Sequence, residues 1–177
     1  MTARSAPVLE TERLILRPFA AADFDQHLAI MSKPEVNRYL GPLLSREDLW
    51  RRTVGGVGMW SVLGFGTWMV IDKMTRLLIG NTGFFDAQRD LKPNFEGEPE
   101  MGWIFDPAAQ GQGIAFEACS AALDWADREL SPTAIWAIAD PANDRSLRLS
   151  GKLGFERRGT STYHDEEIAI LKRQRSR

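Results

Sequence analysis

The stretch from Glu100 to Ala115 constrains this chain more than any other. Glu100 to Phe105 (EMGWIF) alternates as a strand does, with Met101, Trp103 and Phe105 on one face and Glu100, Gly102 and Ile104 on the other. Pro107 ends the alternation, and Gln110-Gly111-Gln112-Gly113-Ile114-Ala115 opens a helix to about Leu130. Ala115, Ala118, Cys119, Ala122 and Ala126 give that helix a small-residue face. A helix N-terminus leaves its first four N–H groups without internal partners and carries about half a positive charge. Glycines at 111 and 113 remove the Cβ atoms that would hold a ligand away from those groups. Physically this is a phosphate cradle, although a glycine-rich helix start also serves purely structural ends. Two familiar cradles are excluded. No Lys-Ser/Thr follows the glycines, as a P-loop requires. Phe116 stands where a dinucleotide fingerprint has its third glycine, which argues against a nucleotide-binding oxidoreductase.

Around this segment the period of the apolar residues lays out one domain. Arg13 to Phe19 alternates as a strand, and Phe24, Leu28 and Met31 recur at helical spacing until Pro34. Ser45 is an N-cap with Asp48 three residues on, and the helix it opens weakens at glycines 55, 56 and 58. Gly66 to Asp72 and Leu77 to Phe85 form a hairpin, and Gln88 to Pro99 is an exposed loop. Ala134 to Ala139 (AIWAIA) is wholly apolar, hence a central strand. Asn143 or Asp144 caps a helix that stops at Gly154, and Phe155 to Tyr163 and Glu167 to Leu171 close the chain as a strand pair. The domain spans 9–171, between an N-terminal tail (1–8) and a basic C-terminal tail (172–177).

Composition narrows the classes of function. In 177 residues, 22 Lys and Arg stand against 24 Asp and Glu, so no overall basic field favours general nucleic-acid binding. One cysteine, Cys119, and two histidines, His27 and His164, leave no set for a Cys-rich or multi-histidine metal centre, so no metal is expected. The lone cysteine fits a reducing compartment. No apolar stretch reaches the roughly 20 residues of a bilayer span, and Met1 to Ala6 has no apolar core of signal-peptide length. A cytoplasmic protein without a membrane partner is the expectation.

Gln110-x-x-Gly113-x-Ala115 resembles the Gln/Arg-x-x-Gly-x-Gly/Ala signature of the GNAT N-acetyltransferases. Asn143, Ser146 and Lys152-Leu153-Gly154-Phe155 resemble the Asn-x-x-Ser…Lys-Leu-Gly-Phe block of the branch containing ribosomal-protein N-terminal acetyltransferases. Leu9 to Pro18 is similar to that branch's opening. The resemblance covers roughly residues 9 to 171 and implies an α/β fold with a mixed sheet, in the order β-α-α-β-β-β-α-β-α-β-β. Strands 100–105 and 134–139 would splay apart to admit the pantetheine arm of acetyl-CoA. By the same resemblance Ile104 and Phe105 offer it main-chain bonds, Gln110, Gly111, Gln112, Gly113, Ile114 and Ala115 hold the pyrophosphate, and Asn143 orients the arm. The acceptor is an amine, either a peptide N-terminus or a small molecule, and a homodimer is left open.

Acetyl transfer from a thioester needs a neutral amine, yet alkyl amines have pKa values near 10. Glu100 is the candidate base, with a solvated strand-end charge as the alternative reading. Ser146 matches the branch's thiolate donor, with a helix-capping hydroxyl as its alternative; Ser150 stands where many family members have a tyrosine acid. No covalent enzyme intermediate is needed, so Cys119 reads as core. His27 and His164 read as surface or capping residues. Trp60 is the best acceptor-pocket tryptophan, the other five reading as core, and the glycines at 55–58 form either an irregular helix end or an acceptor lid. The function expected is direct acetyl transfer; the rival is a catalytically silent acetyl-CoA sensor.

Overall fold

The computed structural model describes residues 5–174 except 96 and 131. In chain order it contains β1 (Leu9–Glu10), β2 (Leu14–Arg17), α1 (Phe24–Met31), α2 (Pro34–Asn37), α3 (Arg46–Leu63), β3 (Thr67–Asp72), β4 (Leu78–Phe85) and β5 (Glu100–Phe105). There follow α4 (Ile114–Glu129), β6 (Ala134–Ala139), α5 (Asp144–Lys152), β7 (Glu156–Tyr163) and β8 (Glu166–Gln174). The eight strands form one sheet in the order β1-β2-β3-β4-β5-β6-β8-β7. Among the described residues only the β5–β6 contact is parallel. Among the described residues no helix is long and apolar enough to cross a membrane.

Several expectations change in detail. The opening strand is two, because the chain turns tightly at Thr11, whose hydroxyl accepts from Leu14 N–H at 3.0 Å. Pro34 does not merely stop α1; it sits in the first turn of the short α2, where its missing N–H costs nothing. Glycines 55, 56 and 58 do not end α3, so neither the irregular helix end nor the lid is present there. The helix runs on to Leu63 because Leu49, Thr53 and Trp60 anchor it in the core, and Gly64 closes it at φ 80°. A Cβ on Gly56 would lie 3.3 Å from Thr67 Oγ1, so a glycine there lets α3 approach β3 closely. The expected tails are partly structured as well. Ala6 is buried, Pro7 O accepts from Trp68 Nε1 at 2.7 Å, and Lys172 to Gln174 complete β8 against β6; residues 175–177 lie outside the described residues.

Two apolar layers cover the sheet. One face packs Leu14, Leu16, Trp68, Val70, Met101 and Phe105 against α4; the other packs Met69, Ile71, Leu78 and Ile104 against Phe24, Ile30 and Leu49 of α1 and α3. The expected small face of α4 is real: Ala118, Cys119, Ala122 and Ala126 are fully buried. Trp60 is core, not pocket lining. It is 3% exposed, meets Trp68 and Trp125 edge-on at 4.7 and 5.2 Å, and donates Nε1–H to Thr67 O at 3.2 Å. Trp50, in contrast, is partly exposed over Phe24.

Candidate active site

The site begins where β5 leaves β6. The two strands share one bridge, Glu100 opposite Trp136, with Trp136 N–H donating to Pro99 O at 3.0 Å. β6 pairs along its whole length with β8 instead. The Asp106 N–H bond to Ile79 O (2.9 Å) sets the alternation of β5's main chain. Ile104 therefore directs its N–H and C=O to Asn81 of β4, while Trp103 and Phe105 direct theirs into the opening beside β6. Of the two main-chain partners expected for a pantetheine arm, Phe105 faces the gap and Ile104 does not; Trp103, which sequence reasoning missed, faces the gap as Phe105 does. Strand register, invisible in the motif, decides this.

Beyond the far end of the gap lies the cradle. The first backbone bond of α4 runs from Glu117 N–H to Gly113 O at 3.0 Å, so the helix N–H groups before it are available to a ligand. Gly111 and Gly113 both have φ 76°, a conformation that side-chain-bearing residues adopt only with strain. Gln112 Nε2 ties the turn to Ala108 O at 3.0 Å, and Arg13 Nη1 donates to Gln112 O at 2.8 Å. Glu117, whose helical position puts it on the wet side, instead anchors the β1–β2 turn: it accepts from Thr11 Oγ1, from Arg13 N–H at 2.9 Å and from Arg13 Nε at 2.7 Å. These bonds hold its carboxyl below the usual range despite partial burial. Arg145, in the first turn of α5, donates to the Gln110 side chain. Arg145 thus flanks the cradle on one side and Arg13, its Nη2 also paired with Glu117 at 2.6 Å, on the other. Gln110 to Ala115 contain no cation, which is why the motif alone did not reveal them.

Glu100 and Ser146 lie on opposite faces of the sheet. Glu100 shares its face of β5 with Ile104, toward α1 and α3. It is 3% exposed, so the solvated strand-end reading does not hold. Arg89 grips it through two bonds, Nε to Oε2 at 2.8 Å and Nη2 to Oε1 at 3.2 Å. Arg89 in turn lies over the Tyr163 ring, 4.6 Å from its centroid. Burial pushes the Glu100 carboxyl up, with Arg89 and then Arg52 pulling part of the way back. A hollow of about 280 Å³ opens beside it, lined by Phe85, Arg89, Leu91, Phe95, Glu98 and Glu100 among others. A larger one, about 470 Å³ at Phe24, Asp25, Arg46 and Trp50, touches neither gap nor cradle.

On the other face Asn143 is the N-cap of α5, its Oδ1 accepting from Ser146 N–H at 3.1 Å. Ser146 Oγ accepts a bond from Trp103 Nε1 at 3.1 Å, which ties α5 to β5 across the gap. Ser150 is fully buried and gives its proton to Leu147 O at 2.8 Å. The two serines thus differ sharply in what their hydroxyls can do. Cys119 is buried against Thr82, its thiol pushed up to about 12 by burial. His27 is a buried residue of α1, not a surface or capping one, and burial lowers it to about 4. His164 lies exposed in the β7–β8 turn at φ 51°. Among the described residues no group of three or more His, Cys, Asp or Glu side chains is placed to hold a metal ion.

Comparison with known proteins agrees with this arrangement. Residues 13–156 match the model of the acetyltransferase (GNAT) domain. The chain is 30% identical over 159 residues to the uncharacterized N-acetyltransferase YoaA of Bacillus subtilis (strain 168), covering 86% of this chain and 85% of that protein. A GNAT-family acetyltransferase from Bordetella pertussis superposes with a TM-score of 0.84 at 30% identity, covering 95% of this chain and 99% of the other. RimL, a ribosomal L7/L12 α-N-protein acetyltransferase in complex with coenzyme A, shares the fold at 15% identity, with a TM-score of 0.75 and coverage of 95% and 98%. The family match over residues 13–156, the 30% identical relative and the superposition together show that the chain belongs to the GNAT family of N-acetyltransferases.

Proposed function

We propose that this enzyme moves an acetyl group directly from acetyl-CoA to a primary amine. The observation that carries the reading is the opening beside β5, with Glu100 on one face of the sheet and Ser146 on the other. Acetyl-CoA supplies the activated acetyl as a thioester. Phe105 and Trp103 main-chain groups bind the pantetheine arm, and the turn from Gln110 to Ala115, with Arg13 and Arg145, binds the pyrophosphate. Asn143 fixes the first turn of α5, and with it Ser146. An amine entering from the α1–α3 side reaches Glu100, whose upward-shifted carboxyl is the better base for it. A main-chain N–H of β5 meets the charge developing on the acetyl oxygen. Ser146 meets the charge on the departing sulfur.

The acceptor is a peptide N-terminus or a small-molecule amine. Around Glu100, the carboxylates of Glu100, Asp86 and Glu98 stand against Arg89 and Arg52, so this face carries only a slight excess of negative charge and does not by itself choose between the two acceptors. The single, buried Cys119 supports a cytoplasmic setting. The test is acetyl-CoA turnover, read by thiol release, against a panel of amines and N-terminal peptides. Binding of acetyl-CoA with no acceptor-dependent thiol release would favour a silent sensor instead.

A further inference from the structure

Ser146 and Ser150 sit one turn apart on α5, yet their hydroxyl protons have different fates. A serine within a helix ordinarily gives its proton back to a carbonyl three or four residues earlier. Ser150 does so, to Leu147 O at 2.8 Å. Ser146 lies in the first helical turn, and what its oxygen meets is the indole N–H of Trp103 at 3.1 Å. An indole nitrogen donates and cannot accept, whereas a hydroxyl has one proton and two lone pairs. The contact therefore has only one polarity. Trp103 fills a lone pair of Ser146 and cannot take its proton. The ring is held by its own strand and by an edge-on contact with Phe155, centroids 6.2 Å apart. Asn143 Oδ1 holds the Ser146 backbone N–H at 3.1 Å.

From this geometry we infer that Trp103 is a positioning residue for acetyl transfer: its indole N–H fixes Ser146 Oγ as an acceptor and leaves the Ser146 O–H to donate toward the leaving sulfur. The inference rests on the reading that Ser146 faces that sulfur. As the amine nitrogen bonds to the acetyl carbon, its proton passes to Glu100. The carbon–sulfur bond breaks, its electron pair goes to sulfur, and the thiolate accepts the Ser146 hydrogen bond. Ser146 keeps its proton; the thiolate is protonated by solvent, and Glu100 returns its proton there.

Two variants of Trp103 test this, Trp103→Phe and replacement by benzothienylalanine, which keeps the two-ring shape but has sulfur where the N–H was. Each should lower kcat roughly 3- to 10-fold, the worth of one neutral hydrogen bond, with acetyl-CoA Kd unchanged. In a Ser146→Ala background neither should slow the enzyme further, because the group they orient is gone. The isostere covers the case in which the phenylalanine variant fails to fold. Wild-type kcat in the isostere, or losses that multiply fully with that of Ser146→Ala, would overturn the role of Trp103 while leaving Ser146 in place. If Ser146→Ala alone turns over normally, the reading of Ser146 falls and this inference falls with it.

Discussion

Replacing Glu100 by glutamine separates its two jobs, holding Arg89 and accepting a proton. The carboxylate takes two bonds from Arg89, at 2.8 and 3.2 Å, at a site where Glu100 is only 3% exposed. Glutamine keeps one oxygen for the Nε–H bond but turns an NH₂ group toward the other guanidinium N–H. One charge-assisted bond is lost, about 2 kcal/mol, which for a chain of 177 residues lowers Tm by roughly 4–8 °C. A domain stable by ~5–15 kcal/mol remains almost wholly folded at 25 °C after such a loss, so unfolding cannot mimic a catalytic defect. Loss of the base should separately lower kcat/KM at pH 7 by roughly 10²–10⁴, or ~3–5 kcal/mol of barrier. The assay is thiol release from acetyl-CoA across pH 6 to 10. In Glu100→Gln the rate should climb with pH as the free amine fraction grows. Arg89→Met is the control: removing the cation raises the Glu100 carboxyl further, so the acid limb of the profile should move to higher pH without disappearing. A folded Glu100→Gln enzyme with wild-type kcat/KM at pH 7 would refute the assignment and leave Glu100 as the partner of Arg89 alone.

Gly113→Val should raise the acetyl-CoA Kd tenfold or more by calorimetry, since it closes the cradle and strains a residue at φ 76°; unchanged affinity in folded protein removes the cradle. Ser146→Ala should slow transfer roughly 10- to 150-fold with acetyl-CoA affinity nearly intact, whereas Ser150→Ala, whose hydroxyl is committed to Leu147 O, should change turnover little. His27 is kept neutral by burial, with its pKa near 4 against 6.5 when unfolded. Its neutral form therefore stabilises the fold fully above pH 6.5, and ~3 kcal/mol is lost as pH falls toward 4. Tm against pH should flatten over that window in His27→Leu, and an unchanged slope would exclude it. Trp60→Ala should cost ~3–5 kcal/mol in denaturant unfolding because Trp60 fills the core between Trp68 and Trp125. Trp60→Phe, which keeps most of that packing, should leave the acceptor KM alone; a changed KM would return Trp60 to the acceptor pocket.

Local chemistry let the sequence by itself determine a great deal. Period-2 alternation specifies the strand at 100–105, turn-bounded runs those at 67–72 and 78–85, and an unbroken apolar run that at 134–139, while Ser45, Asn143 and the glycines at 111 and 113 mark helix starts, because each of these signals acts over a few neighbouring residues. The resemblance to the family was carried by Gln110-x-x-Gly113-x-Ala115 and by the block from Asn143 to Phe155, which are likewise local. What tertiary structure alone decided involves residues distant in the chain. Glycines 55, 56 and 58 weaken a helix locally, yet burial of Leu49 and Trp60 carries α3 through them. Trp60 and His27 read as accessible until two layers closed over them. Ile104 and Phe105 are adjacent in sequence, but only pairing with β4 reveals which one turns its main chain into the gap. Arg89 is 11 residues from Glu100, Arg145 is 35 from Gln110 and Trp103 is 43 from Ser146; no local pattern links such pairs. They meet only once sheet and helices assemble, and the divergence of β5 from β6, which turns the main chains of Trp103 and Phe105 into the opening, is likewise a property of the assembled sheet.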